Sequence, residues 1–204
     1  MKFKKWEIAL IVALAVTLLA GIGSGAAREQ SGLSDKLIRL HVVANSNSPE
    51  DQALKLKARD RILDSLSGVL DGVTDRDTAI GLISENLDRI VAVSEDEIRS
   101  EGYDYSVTAR VDYEQFPTRN YDTFSLPAGG YEALRVIIGS GQGANWWCVI
   151  FPPLCTSAAF GGGQGAFGDL SKDQVSLITG DSPRYVVKFK TIEIIDKVRG
   201  WLGI

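Results

Sequence analysis

The chain has 204 residues, 45% of them apolar, and a formal net charge of -4. That is enough for one domain with a real core, and it excludes both a low-hydrophobicity disordered chain and a basic nucleic-acid binder. The one His and two Cys exclude zinc sites of four thiolates, of two thiolates with two imidazoles, or of three imidazoles, and any histidine-dependent catalysis must run through His41. Composition therefore points to a structural or binding role, with no metal and no cofactor.

The charge is unevenly placed. Lys2, Lys4 and Lys5 stand against Glu7, and Ile8 to Ala27 then carries no charge. Removing those four charged residues leaves 19 basic and 25 acidic residues, a net charge of -6 for the rest of the chain. A basic start, an apolar run and a small-residue end (Gly23, Ser24, Gly25, Ala26, Ala27) have the form of an export signal. Ser24 with Ala26, or Gly25 with Ala27, fits the small-x-small cleavage rule. An uncleaved anchor is the rival reading, because about 20 residues span roughly 30 Å as a helix. A buried cytosolic helix is the third. The apolar stretch Ile8 to Leu19 is short before glycine begins, which favours cleavage.

Residues 28–36 read as a linker. Leu37 to Ala44 reads as a strand, with Ile38, Leu40 and Val42 on one face and Arg39 and His41 on the other. Ser48 is a good N-cap and Pro49 suits the first helical position. Asp51 stands where a capping box wants Glu or Gln. Leu54, Ala58, Ile62 and Leu66 form a helical stripe, widened by Leu63 and Leu70 and closed by Gly72. A second helix is expected from N-cap Thr74 through Ile80, Ile83, Leu87, Ile90, Val91 and Ile98, with Gly102 as its stop.

From Tyr103 the period becomes two. Tyr105, Val107, Ala109, Val111 and Tyr113 should face inward, and Phe116-Pro117 ends the strand. Ala133 to Ile138 and Trp146 to Phe151 read as two strands joined through Gly139–Gly143 in a hairpin. Pro152-Pro153 ends the sheet. The glycines at 161, 162, 163, 165 and 168 mark residues 156–183 as a surface loop. Residues 184–204 should close the chain as a helix, with a strand over Tyr185 to Phe189 as the alternative start. The order β-α-α-β-β-β-α makes an α+β two-layer sandwich: a mostly antiparallel sheet with its helices on one face.

Trp146, Cys148 and Ile150 alternate with Trp147, Val149 and Phe151, so both faces of that strand are apolar. Either it is a central strand covered on both sides, or Trp146 and Trp147 are left for a partner. The turn residues Asn45 and Asn47 are explained by turn chemistry or by partner contact. Cys148 and Cys155 would stand roughly 23 Å apart on an extended chain. The turn at Pro152-Pro153 can bring them together, and a bridge of this size would stabilise by roughly 2.5 kcal/mol. Two buried thiols or a reactive thiol are the alternatives. His41 with Cys148 as a nucleophile–base pair has no supporting motif around either residue. The basic residues Lys55, Lys57, Arg59 and Arg61, interspersed with Asp51, Asp60 and Asp64, read as a solvated helix face or a docking patch.

Several blocks resemble the stage II sporulation protein R family. They are Leu37-Ile-Arg-Leu-His-Val-Val-Ala-Asn-Ser46, Asp51-Gln-Ala-Leu-Lys-Leu-Lys-Ala-Arg-Asp60, Leu126-Pro-Ala-Gly129, Tyr131-Glu-Ala-Leu-Arg-Val136, Asn145-Trp-Trp-Cys-Val149 and Pro152-Pro-Leu-Cys155. They spread over residues 37–155, the expected family core domain. Ala144 stands where the family pattern has a histidine, and Gly130 where it has a polar residue. The resemblance implies a non-enzymatic signal, exported from the forespore into the space between the two membranes. Its implied partner is a membrane-embedded aspartic protease of the mother cell, whose activation leads to processing of a sigma-factor precursor. The N-terminal segment would touch the membrane if uncleaved, and nucleic acid is not an expected partner. An exported hydrolase using His41 and Cys148, and a passive cell-envelope binding module, are the alternatives.

Overall fold

A computed structural model describes Trp6, residues 32–121 and 124–154, and Leu170, Val175, Ile178 and Thr179. The expected export segment (apart from Trp6), Cys155, most of the glycine-rich segment and the expected C-terminal helix lie outside the described residues. The elements are β1 (Ile38–Val43), α1 (Pro49–Val69), α2 (Arg76–Glu85), α3 (Leu87–Ser100), β2 (Val107–Phe116), β3 (Arg119–Asn120), β4 (Ser125–Leu126), β5 (Gly129–Ile138) and β6 (Asn145–Phe151). The chain divides into two compact units. The larger holds Ser34–Phe116 and Gly130–Ser171; the described part of the smaller includes the short β3–β4 hairpin.

The fold is α+β. The main sheet runs β2-β5-β1-β6, and β1 pairs with β5 in parallel and with β6 antiparallel. The sheet is therefore mixed, and the expected hairpin of the last two strands does not form. β1 lies between them. Its six residues are all buried, and it is the strand best suited to the centre. The loop after β5 closes on the end of β1 instead of reversing onto β5: Gly143 N–H donates to the Ala44 carbonyl at 2.8 Å and Gln142 N–H to that of Asn45 at 3.1 Å. Among the described residues β6 is the last strand on this side of the sheet.

Ser48 caps α1 as expected, its hydroxyl accepting from Asp51 N–H at 3.1 Å, and Pro49 follows it. Leu54, Ala58, Ile62 and Leu66 form the buried stripe. Each fully buried Leu or Ile of such a stripe contributes about 1.5–3 kcal/mol. The next helix starts at Asp75, not at Thr74: the Asp75 carboxylate accepts from Thr78 N–H at 2.8 Å. It is also two helices rather than one. Asn86 turns its amide back to the Leu82 carbonyl at 2.8 Å and offers α3 no side-chain cap, so the axis breaks there. The apolar spacing continues across the break, and periodicity could not reveal it. Gly102, at φ 85°, ends α3, with Tyr103 N–H bonded to the Ile98 carbonyl and Gly102 N–H to that of Arg99.

The helices and one face of the sheet form a single core. Ile38, Leu40, Val42, Leu134, Val136, Ile138, Val107 and Cys148 meet Leu54, Ala58, Ile62, Leu66, Ala79, Ile83, Ile90 and Ile98. Between Ile38 and Arg39 the β1–β6 register shifts by one residue. That irregularity lets Ile150 and Phe151 both join this core, although strict alternation would separate them. β2 begins at Val107, so Tyr105 precedes the strand, and Tyr113 is 63% exposed rather than inward-facing.

Candidate functional site

The other face of the sheet carries a cluster that alternation alone would leave wet. Arg39 and His41 occupy it on β1, opposite Ala133 and Arg135 of β5 and Val149 and Trp147 of β6. Arg39 is fully buried. A buried guanidinium is costly unless its protons and charge are matched. Arg39 Nε donates to the Cys148 carbonyl at 2.9 Å, and its guanidinium lies over the rings of Phe116 (4.4 Å) and Tyr131 (5.1 Å). One turn of the pleat further on, His41 Nδ1 is 2.7 Å from Glu114 Oε2 and Nε2 is 2.9 Å from Asn145 Oδ1. The other Glu114 oxygen accepts from Arg135 Nη1 at 3.1 Å. The imidazole stacks on Trp147 at 5.6 Å and meets the Phe116 ring edge-on at 6.1 Å. Four strands thus contribute to one polar-aromatic network, in which each pairing limits the freedom of the next.

A second network ties the end of β1 to the start of α1. Asp51 is buried at the third helical position. Its carboxylate accepts from Ser46 Oγ at 2.5 Å and from Asn45 Nδ2 at 2.9 Å. The Ser46 hydroxyl bond, then those from Asn45 and Tyr105, holds the Asp51 carboxyl below its ordinary range despite the opposing effect of burial. Gln52 Nε2 donates to the Ser46 carbonyl at 2.7 Å. Buried Lys55 donates to Gln52 Oε1 (2.7 Å) and to the Ala144 carbonyl (2.9 Å). Burial pushes the Lys55 ammonium down from its ordinary value, and nearby Arg59 adds to the effect. Asn45 reaches the other way as well, its Oδ1 accepting from Ser140 N–H at 2.9 Å. The β1–α1 turn and the loop Gly139–Ala144 are thereby one clamped unit.

The six residues expected to matter have separate fates. Both ends of the Asn45 amide are engaged inside the clamp, whereas Asn47 is exposed. Trp146 and Trp147 point to opposite faces, as their spacing requires. Trp146 packs against the helix-side core beneath the Arg59 guanidinium, 4.4 Å from its ring, and its indole N–H has no hydrogen-bond partner among the described residues. Trp147 lies on His41. Cys148 is buried on the helix side opposite Leu40. Cys155 lies outside the described residues. His41 and Cys148 therefore stand on opposite faces of the sheet, and the hydrolase reading based on that pair loses its geometry. The His41 nitrogens address a carboxylate and an amide, not a hydroxyl or thiol.

Of the basic residues on α1, Lys57 pairs with Glu101, Arg61 with Glu97 and Arg59 with Asp60. They form an ion-paired surface, from which buried Lys55 departs. Glu114, Arg135 and Asn145 were not singled out by the sequence. Glu114 resembles any wet-face residue of an amphipathic strand, and only cross-strand register brings it to His41. Among the described residues no group of three or more His, Cys, Asp or Glu side chains is placed to hold a metal ion. No helix among them is long and apolar enough to cross a membrane.

Comparison with known proteins points in one direction. The family model for stage II sporulation protein R matches residues 34–160. A curated protein named stage II sporulation protein R, from Bacillus subtilis (strain 168), is 37% identical over 147 residues. The match covers 68% of this chain and 66% of that relative, so the chain spans just under two thirds of the relative's length. No solved structure matches.

Proposed function

This chain belongs to the stage II sporulation protein R family, and we propose that it acts as an exported, non-enzymatic signal for a membrane-embedded aspartic protease of the mother cell. Activation of that protease leads to processing of a mother-cell sigma-factor precursor. The observation that carries this reading is the family match over residues 34–160, which contains every block quoted above. The basic start and uncharged run of residues 1–27 support export from the forespore to the space between the two membranes. An uncleaved segment would keep the domain on the membrane surface.

Activation by binding requires a higher affinity for the active state of the protease than for its resting state. We assign the contacts to Asn47, Trp146 and Trp147, with Asn45 shaping the turn that presents Asn47. A Cys148–Cys155 bridge belongs to the same proposal. These are the two cysteines of the chain, Cys148 is not a free thiol, and an extracytoplasmic compartment favours the bond.

The test is co-expression of the full chain with the candidate protease and sigma precursor in a non-sporulating host. Cleavage of the precursor should require this chain and its N-terminal segment. Precursor that stays intact when all three proteins are present and exported would sink the reading and favour a passive envelope module. Replacing Trp147 with Ala in a folded, exported chain should abolish cleavage. Normal cleavage would remove that tryptophan from the contact.

A further inference from the structure

We propose that β2 is the contact strand of a homodimer, in which two copies of this chain pair antiparallel about Val111 and join their sheets into one. The inference does not depend on the protease reading. β2 is ten residues long and, among the described residues, stands at the end of the sheet with β5 as its neighbour. The Ser106 carbonyl accepts from Gly139 N–H at 2.8 Å, so the backbone of residue 106 points toward β5. Backbone direction alternates along a strand, and Val107, Ala109, Val111 and Tyr113 therefore offer their N–H and C=O groups on the outer side. Two side chains agree with this phase: Val107 N–H donates to Glu95 Oε1 on α3 at 3.2 Å, and Tyr113 N–H to Asp112 Oδ1 at 3.1 Å. Glu95 takes the Val107 N–H and Asp112 the Tyr113 N–H, so the Ala109 and Val111 groups, with the Tyr113 carbonyl, make up the stretch that can accept a strand.

The edge is long, and its exposed charges Arg110 and Asp112 are of opposite sign rather than of one repelling sign. Val107–Phe116 contains no Pro and no Lys, and Thr108, Arg110, Asp112, Tyr113 and Gln115 are exposed. The order of charges selects the occupant. With the two-fold axis at Val111, Arg110 faces Asp112 of the partner subunit, twice per dimer, and Ala109 faces Tyr113 of the partner subunit. Moving the axis one residue either way sets Arg110 against itself or Asp112 against itself, and like charges directly opposite disfavour pairing. Within one chain Arg110 Nε already lies 3.0 Å from Asp112 Oδ2, so the two side chains share a face and are long enough to reach a neighbouring strand. A copy of the same strand therefore satisfies this edge in one register, which a strand of unrelated sequence has no reason to do.

Sedimentation equilibrium of the full chain tests the proposal. The wild type should show a concentration-dependent dimer. Arg110→Asp and Asp112→Arg should each weaken it by roughly tenfold or more, because two attractive cross-strand pairs become repulsive. The combined Arg110→Asp, Asp112→Arg chain restores opposite charges in the same register and should return to within about threefold of the wild type. Both residues are about half exposed, 53% and 49% by side chain, so these variants should fold. Hydrogen exchange gives an independent readout: the Ala109 and Val111 amides should become protected as protein concentration rises. A chain that is monomeric at every concentration overturns the proposal and leaves the edge to a strand of another protein. So does a dimer indifferent to the single reversals, or exchange at those amides that ignores concentration.

Discussion

Gly143→Ala measures how much stability depends on the clamp between the β1–α1 turn and the loop after β5. A Cβ at this position would sit 2.2 Å from the Ser46 carbonyl oxygen, 2.7 Å from the Ser46 carbonyl carbon and 2.7 Å from the Ala44 Cβ. Ordinary van der Waals contact begins near 3.4 Å, so the loop must lift by about 1 Å. The obstacle is backbone on one side and a buried β-strand terminus on the other, and neither can swing aside as a long side chain would. Lifting the loop stretches the 2.8 Å bond from Gly143 N–H to the Ala44 carbonyl and disturbs the adjacent bond from Gln142. Overpacking of this kind costs about 1–3 kcal/mol, and each weakened hydrogen bond about 0.5–1.5 kcal/mol. The expected loss is about 2–4 kcal/mol, read as a fall in the urea midpoint at unchanged slope. Gly68→Ala is the control. Gly68 lies in α1 with nothing within 4 Å of a Cβ, and the substitution should raise stability by about 0.5–1 kcal/mol. A Gly143→Ala chain within about 0.5 kcal/mol of the wild type would refute the clamp as described.

Three further outcomes follow from the same contacts. Asp51 has a depressed folded-state pKa, so its contribution is present above the ordinary carboxylate value of 3.8 and is lost as pH falls through the lower folded value. Asp51→Asn should cost about 1–3 kcal/mol at pH 7 and flatten the acid limb of a stability–pH curve measured by denaturant unfolding; an unchanged acid limb would contradict the assignment. Arg39→Ala should cost about 2–4 kcal/mol, because a buried hydrogen bond and two ring contacts vanish and a cavity opens. Thermal unfolding that leaves the midpoint unmoved would show that Arg39 is not a structural centre. At Gly130 a new Cβ would meet the Tyr113 ring, with the hydroxyl at 2.1 Å, but Tyr113 is exposed and free to rotate away. Gly130→Ala should therefore cost less than about 1 kcal/mol, with the change visible in Tyr113 fluorescence or NMR shifts rather than in the unfolding midpoint.

Local chemistry was legible wherever it depends on neighbours in the chain. Ser48 and Pro49 start a helix because a hydroxyl and a missing N–H suit those positions whatever lies beyond. The stripe from Leu54 to Leu66 faces the core because 3.6 residues per turn put it on one side. Trp146 and Trp147 diverge because a strand has period two. The same logic failed where two local solutions cost about the same. Thr74 and Asp75 are both good caps, and only the fold shows that the Asp75 carboxylate meets Thr78 N–H. Asn86 interrupts a helix without interrupting its apolar spacing.

Sequence alone also carried the family, since six blocks between Leu37 and Cys155 combine into a pattern too specific for chance. It excluded zinc sites of the common kinds by counting ligands. Which strand lies between which was beyond it. β5 and β6 are joined by a loop well suited to a hairpin, yet β1, more than 90 residues earlier in the chain, enters between them. The reason is energetic competition between distant segments: β1 is apolar on its helix side and carries Arg39 and His41 on the other, and both demands are met only in the middle of the sheet. That placement brings Glu114, Arg135 and Asn145 to His41 and stacks Trp147 upon it, while sending Cys148 to the opposite face. Alternation could assign each residue to a side of its own strand; cross-strand register decided which sides became one surface.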